Sequence, residues 1–223
     1  EGNRGFKPCA CYTQRRKIER NDIVCRGKRR LQVGYYGCGF RKGSEVKVLF
    51  DSHAHFNIDK KAEADLEKLA AGIEDSELSY VMKIGVDLET SFFACEQAKR
   101  YPWCYATVGV HPQDVHKMDD EELYALKTLA MEDKVKAIGE IGLDYFHMGA
   151  TEDKEEQKEW FRKQIRLANE ISMPIAIHCR EADGDCLEIL KQEGAFSKER
   201  IAKFPARESV NGIGEKDARV LLH

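Results

Sequence analysis

Short apolar runs alternate with amphipathic helical stretches along most of this chain, and that alternation restricts its fold more than any other feature. Val46-Lys47-Val48-Leu49-Phe50 reads as a strand buried on both faces, and it runs into Asp51-Ser52-His53-Ala54-His55. Lys60–Ile73 follows as a helix with Ala64, Leu66, Leu69 and Ala70 on its apolar side. Tyr80–Gly85 reads as a strand, Leu88–Arg100 as a helix stopped by Pro102, and Trp103–Val110 as a third strand. Asp119–Glu132 is a helix whose acidic first turn suits the positive end of the helix dipole. Val135–Gly139 gives a fourth strand ending at Glu140. Thr151–Ile171 is a long charged helix with Phe161, Ile165, Leu167, Ala168 and Ile171 on its apolar side. Pro174–Ile177 is a fifth strand ending at His178, Asp185–Lys191 a helix, and Arg219–Leu222 a sixth strand ending at His223. Gly194–Asp217 reads as a partly polar connection.

Strand–helix alternation of this kind predicts a parallel sheet with helices outside it. The residues capable of chemistry fall at the C-terminal ends of strands: His53/His55, His111, Glu140, His178 and His223. That rim is where a (β/α)8 barrel builds its sites. A doubly wound sheet would also use strand C-termini, but the first strand is followed by no Gly-rich phosphate loop. The expected fold is therefore an α/β (β/α)8 TIM barrel. A full barrel takes about 250 residues. With about six of its eight strands present, we expect a barrel truncated at the C-terminus.

Charge divides the chain. Residues 1–45 hold 12 Lys/Arg against 4 Asp/Glu, whereas the remainder holds 24 against 35. The basic segment also contains Cys9, Cys11, Cys25 and Cys38, and a four-cysteine zinc module binding nucleic acid is one reading. One Cys-x-Cys pair and two isolated cysteines do not match the usual knuckle spacing, however. We expect residues 1–45 to be a mostly disordered or non-native extension. Arg41-Lys42-Gly43 fits a purine-rich ribosome-binding stretch, with Val46 as a GTG-encoded start. The barrel would then occupy residues 46–223. No apolar run approaches the roughly 20 residues that span a bilayer. With no secretory h-region evident, the expected location is cytoplasmic, with no membrane partner, and the other four cysteines are expected reduced.

His53 and His55 point to one side of an extended strand and form half of a metal site. Glu140, His178 and His223 would complete a set of five ligands on one rim, suited to Zn²⁺, Mn²⁺ or similar ions. One tetrahedral ion would not use all five; two ions bridged by Glu140 would, an arrangement found in hydrolases. His111, in a turn with Pro112, reads as a rim histidine bonded to backbone rather than as a ligand.

The segments Phe50-Asp51-Ser52-His53-Ala54-His55, Gly109-Val110-His111-Pro112, Ala137–Tyr145 (AIGEIGLDY) and Pro174–Ala182 (PIAIHCREA) resemble the signature segments of the TatD family, in order and spacing from about Val46 to Gly194. The resemblance implies a TIM-barrel, metal-dependent hydrolase acting on phosphodiesters, typically a deoxyribonuclease with 3'-5' exonuclease-like action on single-stranded DNA or DNA ends. It implies two divalent ions (Mg, Mn or Zn). His53 and His55 would hold one, Glu140 would bridge both and serve catalysis, and His178 would bind the second. His223 looks like the histidine that opens the family's His-Cys-Phe-Ser-Gly segment; the family's last aspartate ligand does not follow it. Asp144 and Arg180 would orient substrate. The alternatives are an amidohydrolase-like enzyme acting on a small ester or amide, an inactive truncated chain, and a nucleic-acid adaptor using residues 1–45. A chain lacking the last ligand is expected to bind metal weakly and turn over little.

Overall fold

The structure, a computed structural model, describes residues 49–56, 63–148, 153–206, 208–209, 212–213 and 216–222. The basic N-terminal segment, the proposed start at Val46 and His223 lie outside the described residues.

Six strands form one parallel sheet: β1 (Leu49–Ala54), β2 (Leu78–Lys83), β3 (Cys104–Val108), β4 (Val135–Asp144), β5 (Ile175–Arg180) and β8 (Val220–Leu222). Their spatial order is their sequence order, so each crossover adds a strand to the same growing edge. A doubly wound sheet would reverse direction at a switch point. The sheet is therefore curled as in a TIM-type barrel, with helices α1 (Glu63–Glu74), α2 (Leu88–Arg100), α3 (Asp120–Leu129), α4 (Lys154–Ile171) and α5 (Asp183–Gln192) in the crossovers.

Local chemistry sets the helix starts. Asp87 accepts from Thr90 N at 2.7 Å while Thr90 Oγ1 accepts from Asp87 N, closing a capping box on α2. Asp119 and Glu122 do the same for α3. These satisfy backbone N–H groups that a helix start otherwise leaves unpaired. The α4 helix buries Gln157, Trp160, Phe161, Gln164, Ile165, Leu167, Ala168 and Ile171 along one stripe. That stripe covers β4, where Ile138, Ile141 and Leu143 are fully buried.

Three segments differ from the sequence reading. The β4 strand runs on to Asp144, so Glu140 lies in mid-strand; two glycines had masked this half as strand, since glycine is a poor strand former. Pairing with β5, from Ile141↔Ile177 to Asp144↔Arg180, overrides that local preference. For the same reason β5 continues through His178 to Arg180. The Gly194–Asp217 connection holds a short helix, α6 (Lys198–Lys203), and a two-stranded hairpin, β6 (Glu208–Ser209) with β7 (Gly212–Ile213). Arg200 of α6 is buried and donates to Asn169 Oδ1, Met173 O and Ala218 O, tying this crossover to the end of α4 and the approach to β8.

All four described cysteines are unpaired thiols; Cys95, Cys104 and Cys186 are buried, as core thiols are. Among the described residues, no helix is long and apolar enough to cross a membrane.

Candidate metal centre

His53 sits near the end of β1 and His55 just beyond it, so the extended backbone turns both rings to the same side. Their Nε2 atoms are 3.0 Å apart. Glu140, on β4, places Oε2 at 3.3 Å from His53 Nε2 and 3.4 Å from His55 Nε2. Ligands about 2.0–2.1 Å from a tetrahedral ion stand roughly 3.3–3.4 Å apart. The two histidine–carboxylate edges of this donor triangle fit that spacing, the histidine–histidine edge is somewhat shorter, and imidazole and carboxylate are suitable ligand types.

Glu140 is 2% exposed, and its other oxygen turns the opposite way: Oε1 lies 3.1 Å from His178 Nδ1. His178 Nε2 lies 3.1 Å from Asp144 Oδ2. Each ring nitrogen of His178 thus faces a carboxylate oxygen, and with Nε2–H held by Asp144, Nδ1 is the atom that would coordinate an ion beside Glu140 once its own proton has left. Burial lowers the His178 pKa, but the hydrogen bonds and charges of Glu140 and Asp144 outweigh it and raise the pKa overall. Glu140, His178 and His111 form a second group of donor atoms, within 4.8 Å of one another. Glu140 thus belongs to two groups, one on each carboxylate oxygen.

This arrangement depends on close strand contact. A Cβ at Gly142, whose φ is +148°, would lie 1.9 Å from His178 O. A Cβ at Gly139 would lie 2.6 Å from Ala176 O. Glycine on either side of Glu140 lets β4 approach β5 closely enough for Glu140 to meet His178. The Gly139–Glu140 peptide bond is cis, and Glu140 N donates to Gly85 O at 2.9 Å.

His111 Nδ1 accepts from Gln113 N at 3.3 Å, a backbone bond of the kind expected of it. It also packs edge-on against His178, ring centroids 4.3 Å apart, in the Glu140 group. Burial and the neighbouring His178 push its pKa down to about 4, so it is neutral near pH 7.

Asp144, expected to orient substrate, is buried, at 1% exposure. Its carboxylate accepts from Phe146 N and His147 N and pairs with His147 Nδ1 as well as His178. Burial opposes ionisation there, yet these hydrogen bonds hold its pKa down to about 2. Arg180 is exposed at the rim, its guanidinium 4.3 Å over the Phe146 ring. His223, the fifth expected ligand, lies outside the described residues.

Two further residues support the site without entering it. Gln164 on α4 accepts from Val110 N and donates to Val110 O. Gln157, seven residues earlier on the same helix, does the same for Asp144 N and O. Each amide satisfies backbone groups at a strand end where the sheet ladder stops. Nothing in the sequence marks them, because a polar residue on an amphipathic helix reads as surface until its burial is known.

Comparison with known proteins places this arrangement in a family. The TatD related DNase profile matches residues 50–204. An uncharacterised metal-dependent hydrolase, YabD, from Bacillus subtilis is 42% identical over 148 residues, covering 66% of this chain and 57% of that protein. A Cronobacter sakazakii protein named 3'-5' ssDNA/RNA exonuclease TatD is 39% identical over 126 residues, covering 56% and 47%. The chain thus spans about half the length of the curated relatives it matches. Among solved structures, YJJV, a TatD homologue from Escherichia coli, superposes with a TM-score of 0.59 at 25% identity over 65% of this chain and 55% of that one. A Saccharomyces cerevisiae amidohydrolase of uncharacterised function shares the fold, with a TM-score of 0.57 at 20% identity over 78% and 60%. On the profile match, the four ordered segments and the barrel-type sheet, this chain belongs to the TatD family of metal-dependent hydrolases.

Proposed function

We propose that this chain hydrolyses phosphodiester bonds of single-stranded DNA or DNA ends, with two divalent ions (Mg²⁺, Mn²⁺ or Zn²⁺) held by Glu140 and the histidines around it. The observation that carries this reading is the division of the Glu140 carboxylate, with His53 and His55 on Oε2 and His178 on Oε1. A carboxylate spanning two donor groups suits paired ions, which sit about 3.5–4 Å apart in hydrolases. Such ions supply Lewis acidity and an activated water near neutral pH.

The residues then divide the work. His53 and His55 would hold an ion on one side and His178 on the other, with Glu140 contributing to both; His223 is assigned to the same set from the sequence. Asp144 keeps the His178 proton on Nε2 and so leaves Nδ1 free to coordinate; it is a positioning residue. His111, with Nδ1 engaged by Gln113, keeps its own ring proton on Nε2 and offers a donor in place of a lone pair. Arg180 orients the phosphate from the rim. The body of the protein is acidic, so substrate contacts are confined to this rim rather than spread over the surface. The name of the Bacillus relative supports a metal-dependent hydrolase, and that of the Cronobacter relative supports a single-stranded substrate and 3'-5' polarity.

The test is nucleotide release from a 5'-labelled single-stranded oligonucleotide with Mg²⁺ or Mn²⁺. Ladder shortening from the 3' end, abolished by EDTA, is expected. Intact DNA alongside metal-dependent cleavage of a small carboxylic ester or amide would overturn the reading in favour of amidohydrolase-type chemistry.

A further inference from the structure

Phe146 stands two residues past Asp144 with 53% of its surface exposed. Single exposed apolar side chains are common and need no explanation. This one, however, is fixed to the candidate centre. Its backbone N–H donates to Asp144 Oδ1 at 3.0 Å, and the other oxygen of that carboxylate meets His178. The Arg180 guanidinium lies 4.3 Å over the ring, and His147 meets it edge-on at 4.7 Å. Arg180 is itself anchored, since its carbonyl accepts from Tyr145 N and it pairs in register with Asp144. Among the described residues, no carboxylate pairs with Arg180. An aromatic face and a guanidinium that pairs with no described carboxylate are therefore held together at the rim, beside the residues proposed to carry the chemistry.

We infer that Phe146 and Arg180 form a nucleotide clamp. The base next to the scissile bond stacks on the open part of the Phe146 ring, and Arg180 pairs with the adjoining phosphate. The inference rests on the nucleic-acid reading above and specifies which parts of that substrate are gripped. Stacking on an aromatic ring tolerates any base because each has a π face, so the clamp selects for unpaired bases and not for sequence. A base within a duplex has both faces occupied and does not fit.

Binding and turnover separate this inference from the reading it rests on. In Phe146→Trp, the new indole is exposed whereas Trp103 and Trp160 are buried. Its fluorescence, with the wild-type signal subtracted and Ca²⁺ present to slow turnover, is expected to be quenched by oligo(dT). An abasic oligonucleotide of the same length should leave it unchanged. Phe146→Ala should raise KM for oligo(dT) about tenfold with kcat little altered, and Phe146→Tyr should restore it. Arg180→Ala should weaken binding of dT and abasic strands alike. Equal quenching by both strands, no quenching by either, or an unchanged KM in Phe146→Ala would overturn the clamp. Absence of hydrolysis in the wild type would sink the phosphodiesterase reading alone, because the quench reports stacking without turnover.

Discussion

On the Oε2 side of Glu140 both histidines come from one strand, two residues apart, and meet because an extended backbone repeats every second residue. On the Oε1 side, His178 comes from β5 and His111 from beyond β3, and their meeting depends on the register of three strands. The supports differ as well. The His178 side is backed by Asp144, His147 and the two glutamine amides of α4. Beside the His53/His55 side, Ala54 pairs in register with Lys83, a buried lysine whose Nζ donates to Gln97 Oε1 at 2.5 Å. Among the described residues, one half of the site is thus made within a single strand, whereas the other is assembled at long range with a network that fixes orientation. The second kind should break in more ways.

Removing the shared residue should have the largest effect. Glu140→Gln leaves the volume unchanged but removes the charge from both halves, and nucleotide release is expected to fall about 10³-fold or more with the circular dichroism spectrum unchanged. Asp144→Asn strikes only the network side. It should lower metal affinity or activity about 10–100-fold, with one class of metal site weakened in calorimetry and the other retained. Equal weakening of both classes would remove the proposed asymmetry.

The supports can be tested by stability. Gln164→Leu leaves Val110 N–H and C=O without their partners, and urea unfolding should show a loss of about 3 kcal/mol. Lys83 gives the smallest effect and a distinct pH signature. Burial is the main cause lowering its pKa to about 8, against an ordinary 10.5, so between those values the unfolded chain holds the extra proton. Stability should therefore rise with pH across that window, by about 2 kcal/mol between pH 7 and 10. Lys83→Met should flatten the rise and be more stable than wild type at pH 7; a parallel profile would show that the lysine is not the source.

Strand order, the crossover helices and the His53/His55 pair were legible in the sequence because each follows from local periodicity. The extension of β4 to Asp144 was not, since Gly139 and Gly142 lower strand preference and only the β5 backbone shows why they must be glycine. Asp144 could be singled out by motif, but its role could not: a carboxylate that faces substrate and one that holds a histidine look alike until burial is known. His147, Gln157 and Gln164 carried no chemical signal, because their partners are 3, 13 and 54 residues away in sequence and two of the three bond backbone. The helix and hairpin between Gly194 and Asp217 read as a polar connection because short elements lack a measurable period.

The central claim is that Glu140 joins two ion sites, and counting bound ions tests it most directly. Mn²⁺ titrated to saturation into the metal-free protein and followed by calorimetry should give two ions per chain in the wild type. In Glu140→Gln both classes should weaken together, since each loses an oxygen of the same carboxylate. A single ion per chain in the wild type, or a variant that keeps one site at full affinity, would contradict it.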